Sequence, residues 1–127
     1  MVSLVLLSHS ENLAKGVMEL AQEMAEGIPI FAAGGNGSGG LGSDYNLIKD
    51  TLEKAFNPDG VVIFYDLGSS AMTAELVIDE MDEDKKAKIK ILKAPLVEGA
   101  VAAAVEIKCG SGFGDVVELL EEMEIIK

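Results

Sequence analysis

The chain has 127 residues, 49% of them apolar, and a formal charge of −12. That length supports one folded domain with a substantial core, and that composition excludes a disordered chain. The charge argues against nucleic-acid and anionic-membrane partners, because a phosphate-rich surface repels a strongly acidic protein.

No stretch approaches the roughly 20 apolar residues that a membrane span requires. The amino terminus has no basic n-region followed by a long apolar core and a cleavage site. Cys109 is the single cysteine, so no internal disulfide forms and no thiolate cluster can hold a metal. A soluble, cytoplasmic protein of one domain, residues 1–127, is expected.

The first element is an apolar run over residues 2–7, read as a buried parallel strand that ends at Ser8-His9-Ser10. Leu13, Val17, Leu20, Ala21 and Met24 then recur at helical spacing. Ser8 with Glu11 has the spacing of a capping box, and Ser10 is a competing N-cap. Residues 28–32 predict a second strand. The glycine-rich loop 34–42 follows, and Ser43 or Asp44 caps a helix whose face carries Tyr45, Ile48, Leu52 and Ala55.

Asn57-Pro58-Asp59-Gly60 is a turn into the strongest strand signal, residues 61–65, which runs into Asp66-Leu67-Gly68-Ser69-Ser70. A helix with Ala74, Val77, Ile78 and Met81 aligned comes next. An acidic cluster and a lysine run read as a solvated turn, leading into an edge strand over residues 88–92. Ala94-Pro95 opens a helix whose apolar face is expected to carry Val97, Val101, Ala104 and Val105. Residues 115–123 make a last helix.

The order βαβαβαβαα predicts an α/β fold: an open, doubly wound, mainly parallel four-stranded sheet flanked by helices. In such a sheet ligands gather at the carboxyl ends of the strands.

His9, the only histidine, ends the first strand, and Asp66 ends the third. Strands one and three are commonly neighbours at a switch point, so the two side chains can converge. Asp66 would accept a hydrogen bond from one imidazole nitrogen, fixing the tautomer and leaving the other lone pair free to attack. Gly68, Ser69 and Ser70 would offer amides and hydroxyls at a helix amino terminus, where anions bind.

Other chemistries fit less well. The 34–42 loop matches G-x-G-x-x-G twice in overlapping frames, follows the wrong strand, and lacks the Gly-Lys-Ser/Thr ending of a Walker A loop. It reads as a mobile loop or a flexible lid with amides available to an anion. A receiver domain needs an acidic pair where Ser8-His9-Ser10 stands. A histidine phosphatase needs Arg-His-Gly there. One histidine with carboxylates alone is a poor metal site, so neither metal nor cofactor is expected.

Five segments together resemble a known family: Val5-Leu6-Leu7-Ser8-His9-Ser10, Ala32-Ala33-Gly34-Gly35, Gly42-Ser43-Asp44, Asp66-Leu67-Gly68-Ser69 and Ala94-Pro95-Leu96-Val97-Glu98-Gly99. The chain is similar over nearly its whole length to mannose-type IIA domains of the phosphotransferase system, and within them to the IIA domain of the dihydroxyacetone kinase. The resemblance implies a phosphoryl carrier. HPr would donate to Nε2 of His9, with Asp66 orienting Nδ1 and donors near Ser10, Gly68 and Ser69 holding the phosphate. His9 would then pass the group to ADP on a nucleotide-binding kinase subunit, and a further subunit would bind dihydroxyacetone. A homodimer is implied as well. A mannose-type IIA domain serving a sugar permease, and a non-catalytic flavodoxin-like binding module, are the competing readings.

Overall fold

The computed structural model describes residues 1–127. The elements are β1 (Ser3–Ser8), α1 (Glu11–Met24), β2 (Ile30–Gly34), α2 (Tyr45–Ala55), β3 (Val61–Tyr65), α3 (Gly68–Asp79), α4 (Glu83–Lys86), β4 (Ile89–Leu92), α5 (Leu96–Lys108) and α6 (Phe113–Glu121). The four strands form one parallel sheet in the order β2-β1-β3-β4. This is the expected α/β architecture. No helix is long and apolar enough to cross a membrane.

The sheet is buried on both faces, which is why its central strands are continuously apolar rather than alternating. Leu4, Leu6, Val62, Phe64 and Leu92 face α1, α5 and α6, meeting Val17, Ala21, Ala103, Ile107, Val116 and Leu120. Val5, Leu7, Ile63 and Tyr65 face α2 and α3, meeting Ile48, Leu52, Ala71, Ala74 and Val77. The chain leaves β1 toward β2 on one side and returns to β3 on the other. The carboxyl ends of β1 and β3 therefore flank a switch-point crevice, with Leu7 in register with Tyr65.

Five sequence expectations are corrected. The second strand lies two residues later than expected, because Pro29 has no N–H to give the ladder and supplies only its carbonyl, to Leu4 N–H at 2.9 Å. On α1 the buried face is Ala14, Val17 and Ala21, while Leu13, Leu20 and Met24 are exposed. On α5 the buried face is Gly99, Ala100, Ala103, Ala104 and Ile107, so of the four residues expected inside only Ala104 is buried. The cause is close approach to the sheet: a Cβ on Gly99 would stand 3.0 Å from the Phe64 ring. The valines are left on the outer flank. Finally, the last helix begins two residues earlier, at Phe113, and the acidic-lysine stretch contains the short helix α4.

The caps settle both ambiguities. Ser10 Oγ accepts from Leu13 N–H at 3.2 Å, and Asp44 accepts from Leu47 N–H at 2.8 Å. Gly34 closes β2 directly under the start of α1, where a Cβ would collide with the Ser10 carbonyl and Glu11 Cα. These are backbone atoms and cannot swing away. Gly34→Ala should therefore lower unfolding free energy by roughly 1–3 kcal/mol. Chemical denaturation would measure it, and a loss below about 0.5 kcal/mol would show that the helix start shifts freely.

Candidate functional site

Strand pairing brings together what 57 residues of sequence separate. β1 delivers His9 and β3 delivers Asp66 to the same edge of the sheet, and Asp66 N–H continues the ladder to Leu7 O at 3.2 Å. Asp66 Oδ1 lies 3.1 Å from His9 Nδ1 and accepts from Leu67 N–H at 2.6 Å. Its Oδ2 accepts from Ser8 Oγ–H at 2.7 Å and from His9 N–H at 3.0 Å. The His9 and Asp66 side chains keep 22% and 18% of their exposure, so the site is reachable yet partly desolvated.

Burial pushes the Asp66 carboxyl upward. The hydrogen bonds from Ser8, the His9 ring, His9 N–H and Leu67 N–H outweigh that effect and hold it below the ordinary carboxylate value. Asp66 is thus an anion that only accepts, and the proton between it and His9 belongs to Nδ1. Nε2 is left with its lone pair. That nitrogen points at α3, in closest contact with the Ser69 hydroxyl. The first-turn amides of α3, at Gly68 and Ser69, have no intrahelical carbonyl to bond. The geometry combines an oriented nucleophilic nitrogen with a helix terminus suited to an anion.

Of the residues singled out from sequence, His9, Asp66, Gly68 and Ser69 converge here. Ser10 lies beside them with its groups already engaged: its hydroxyl caps α1, and its N–H donates to Ser8 Oγ at 3.0 Å. Three other hydroxyls surround the ring; the Ser70 hydroxyl was expected at this helix terminus, whereas those of Ser8 and Ser43 were not. Ser8 Oγ binds Asp66, Ser70 Oγ lies 3.2 Å from Nδ1, and Ser43 Oγ lies 3.5 Å from Nε2. Ser8 adjoins the His9 motif and was within reach of the sequence reasoning. Ser43 arrives from another segment, and only the path of the loop reveals it.

That loop is organised rather than merely glycine-rich. Asn36 Oδ1 accepts from Ser38 N–H at 2.9 Å and Gly40 N–H at 3.0 Å, and Gly42 N–H donates to His9 O at 2.9 Å. Gly35 and Ser43 form an isolated parallel bridge beside the sheet.

On the other flank a groove of about 530 Å³ opens beside Asp66, walled by Leu13, Leu67, Pro95, Val97 and Ile126. Lys127 closes its end. The ammonium donates to Tyr65 O at 2.6 Å and stands 4.0 Å over the Tyr65 ring. Burial pushes its pKa down, and the Asp66 carboxylate opposes that shift. Since the sequence contains no arginine, any cation at this end of the sheet other than the His9 ring must be a lysine.

Residues 3–117 match the family model described as the PTS system fructose IIA component. The phosphoryl donor subunit DhaM of PEP-dependent dihydroxyacetone kinase 2 of Listeria innocua is 38% identical over 107 residues, covering 84% of this chain and 86% of that protein. The phosphotransferase subunit DhaM of the PTS-dependent dihydroxyacetone kinase of Lactococcus lactis is 33% identical, covering 98% and 97%. The Escherichia coli DhaM is 33% identical over 92% of this chain, which spans only 26% of that longer protein. Among solved structures, the protein EF1359, described as of unknown function, superposes with a TM-score of 0.85 at 31% identity, covering 98% of this chain and 96% of that one. The chain belongs to the mannose-type IIA family of the phosphotransferase system, as a homologue of the DhaM phosphoryl-donor subunits.

Proposed function

We propose that this chain is a phosphohistidine carrier of a dihydroxyacetone kinase system. It accepts a phosphoryl group from HPr on Nε2 of His9 and passes it to ADP held on a nucleotide-binding kinase subunit. The ATP so formed serves the phosphorylation of dihydroxyacetone on a further subunit. Homology with DhaM phosphotransferase subunits supports the phosphotransferase activity and the kinase system. The observation that carries the reading is the orientation of His9, with Nδ1 on Asp66 and Nε2 turned to the start of α3.

The chemistry follows from that orientation. The Nε2 lone pair forms the new N–P bond while the bond from phosphorus to the donor's nitrogen breaks and keeps its electron pair. Nδ1 retains its proton, so the phosphorylated ring carries a positive charge. Asp66 lies 3.1 Å away to balance that charge. A cationic ring is also a good leaving group, which makes onward transfer to ADP feasible. The Ser69 hydroxyl must leave the Nε2 lone pair and then donates to a phosphoryl oxygen. Amides of Gly68 and Ser69 supply the remaining stabilisation, since phosphoryl transfer depends on positioning and charge more than on covalent help.

The partners are proteins rather than free metabolites. Exposed Leu67 and Val97 and the groove beside Asp66 offer apolar area next to a small polar centre, which suits a docking protein. The chain works in the cytoplasm as a single IIA unit, paired as a homodimer.

Intact-protein mass spectrometry after incubation with phosphoenolpyruvate, enzyme I and HPr tests this. One acid-labile phosphate is expected, lost on adding ADP with the kinase subunits. A phosphate that moves instead to a sugar permease would assign the chain to transport. No phosphate, with active donors in the tube, would leave a binding module.

A further inference from the structure

Ser43 takes no part in the chemistry above, yet its hydroxyl sits between a second hydroxyl and the reacting nitrogen. Its Oγ is 3.0 Å from Ser70 Oγ and 3.5 Å from His9 Nε2. Counting protons fixes who donates. Nδ1 bears the proton directed to Asp66, so it cannot accept from Ser70. Ser70 is 1% exposed and has no water to turn to, so its hydroxyl proton goes to Ser43 Oγ. Ser43 has then accepted, and its own proton remains to be given.

In the unphosphorylated protein that proton has no good acceptor within the chain and is left to solvent at this half-buried position. Nε2 has one in-plane lone pair, already taken by Ser69, and 3.5 Å is long for an O–H donor. The side chain is nevertheless held in place from both sides. Gly42 N–H is bonded to His9 O, and Asp44 is fixed as the cap of α2. A positioned donor with an unspent proton next to the reacting nitrogen is suited to a group that arrives there.

We propose that Ser43 is a catalytic residue of the carrier: its hydroxyl donates to the phosphoryl group on Nε2, with Ser70 directing it. The inference rests on the phosphohistidine reading and extends it to the glycine-rich loop. As the N–P bond forms, the Nε2 lone pair is consumed and up to three charged oxygens appear beside it. Ser43 then exchanges a long, weak contact for a charge-assisted one, so it binds the transferring group better than the resting site. Its proton stays on oxygen throughout. The loop's role is to carry this donor across from β2 to Nε2.

The test is single-turnover phosphorylation of the full chain by phospho-HPr, with ³¹P NMR of the product. Ser43→Ala should slow transfer about tenfold, the loss of one hydrogen bond to a charged group. It should also move the phosphohistidine resonance. Ser43→Thr, which keeps the hydroxyl, should restore the rate to within about threefold and return the resonance. A Ser43→Ala rate within about twofold of wild type, or a Ser43→Thr variant as slow as the alanine one, overturns the role of Ser43 while leaving the carrier intact. A wild-type chain that takes up no phosphate overturns the carrier reading and this inference with it.

Discussion

Replacing His9 with alanine is expected to abolish phosphate uptake completely while leaving the fold intact. No second histidine exists to take over, and the one cysteine, Cys109, is exposed at the end of α5, outside the site. A hydroxyl such as Ser69 cannot substitute, because an alcohol is a weak nucleophile without a base and the imidazole beside it would be gone. The fold survives because the His9 backbone does the structural work. Its N–H reaches Asp66 and its carbonyl receives Gly42 N–H, and alanine keeps both. The cost is confined to the Asp66 and Ser69 contacts of the ring, one of them an ion pair only when the ring is charged. We expect unfolding free energy to change by about 1–2 kcal/mol. Mass spectrometry and a denaturation curve on the same sample decide it. Wild-type phosphate uptake in the variant would remove His9 from the mechanism outright.

That His9 and Asp66 meet was legible before any coordinates. Each closes an apolar run, and parallel pairing sends both runs to the same edge of the sheet. Local sequence was enough because the strands carry the information. The hydroxyls were harder. Ser43 reads as a candidate helix cap within one of the family-resembling segments, and its approach to Nε2 depends on a loop held by the Asn36 side chain, whose bonds leave no hydropathy pattern. The 34–42 loop accordingly read as mobile. The inner face of α5 was misread for a related reason. Gly99, Ala100 and Ala103 are small, so hydropathy favours the neighbouring valines, whereas the bulk of Phe64 beneath decides which side can approach. On α1 the same preference for large residues drew Leu13, Leu20 and Met24 inward, although Ala14 fills the contact. Periodicity found the helices; the sheet surface chose their faces.

Asp66→Asn should slow phosphoryl transfer by up to about four orders of magnitude, the loss seen when a catalytic imidazole loses the carboxylate that sets its tautomer. Four donors converge on the two Asp66 oxygens, from Ser8, His9 N–H, His9 Nδ1 and Leu67. Asparagine has one acceptor oxygen and one NH₂ group. With the NH₂ toward the ring, Nδ1 must accept, the proton moves to Nε2, and the attacking lone pair disappears. With the NH₂ turned away, it faces the fixed His9 N–H, and the neutral amide still cannot balance the charge of the phosphorylated ring. Either arrangement strands a donor, so stability should fall by about 1–3 kcal/mol as well. The pH dependence separates the two losses. The Asp66 pKa is depressed below its ordinary value of 3.8, so its stabilisation is complete above that value and fades as pH falls through the lower, folded-state pKa. The part of the stability gap that comes from the Asp66 carboxylate should narrow only below about pH 4. The rate gap should persist at neutral pH, where stability is not limiting. Equal single-turnover rates would reduce Asp66 to the cap of a turn and leave Nε2 oriented by Ser69 alone.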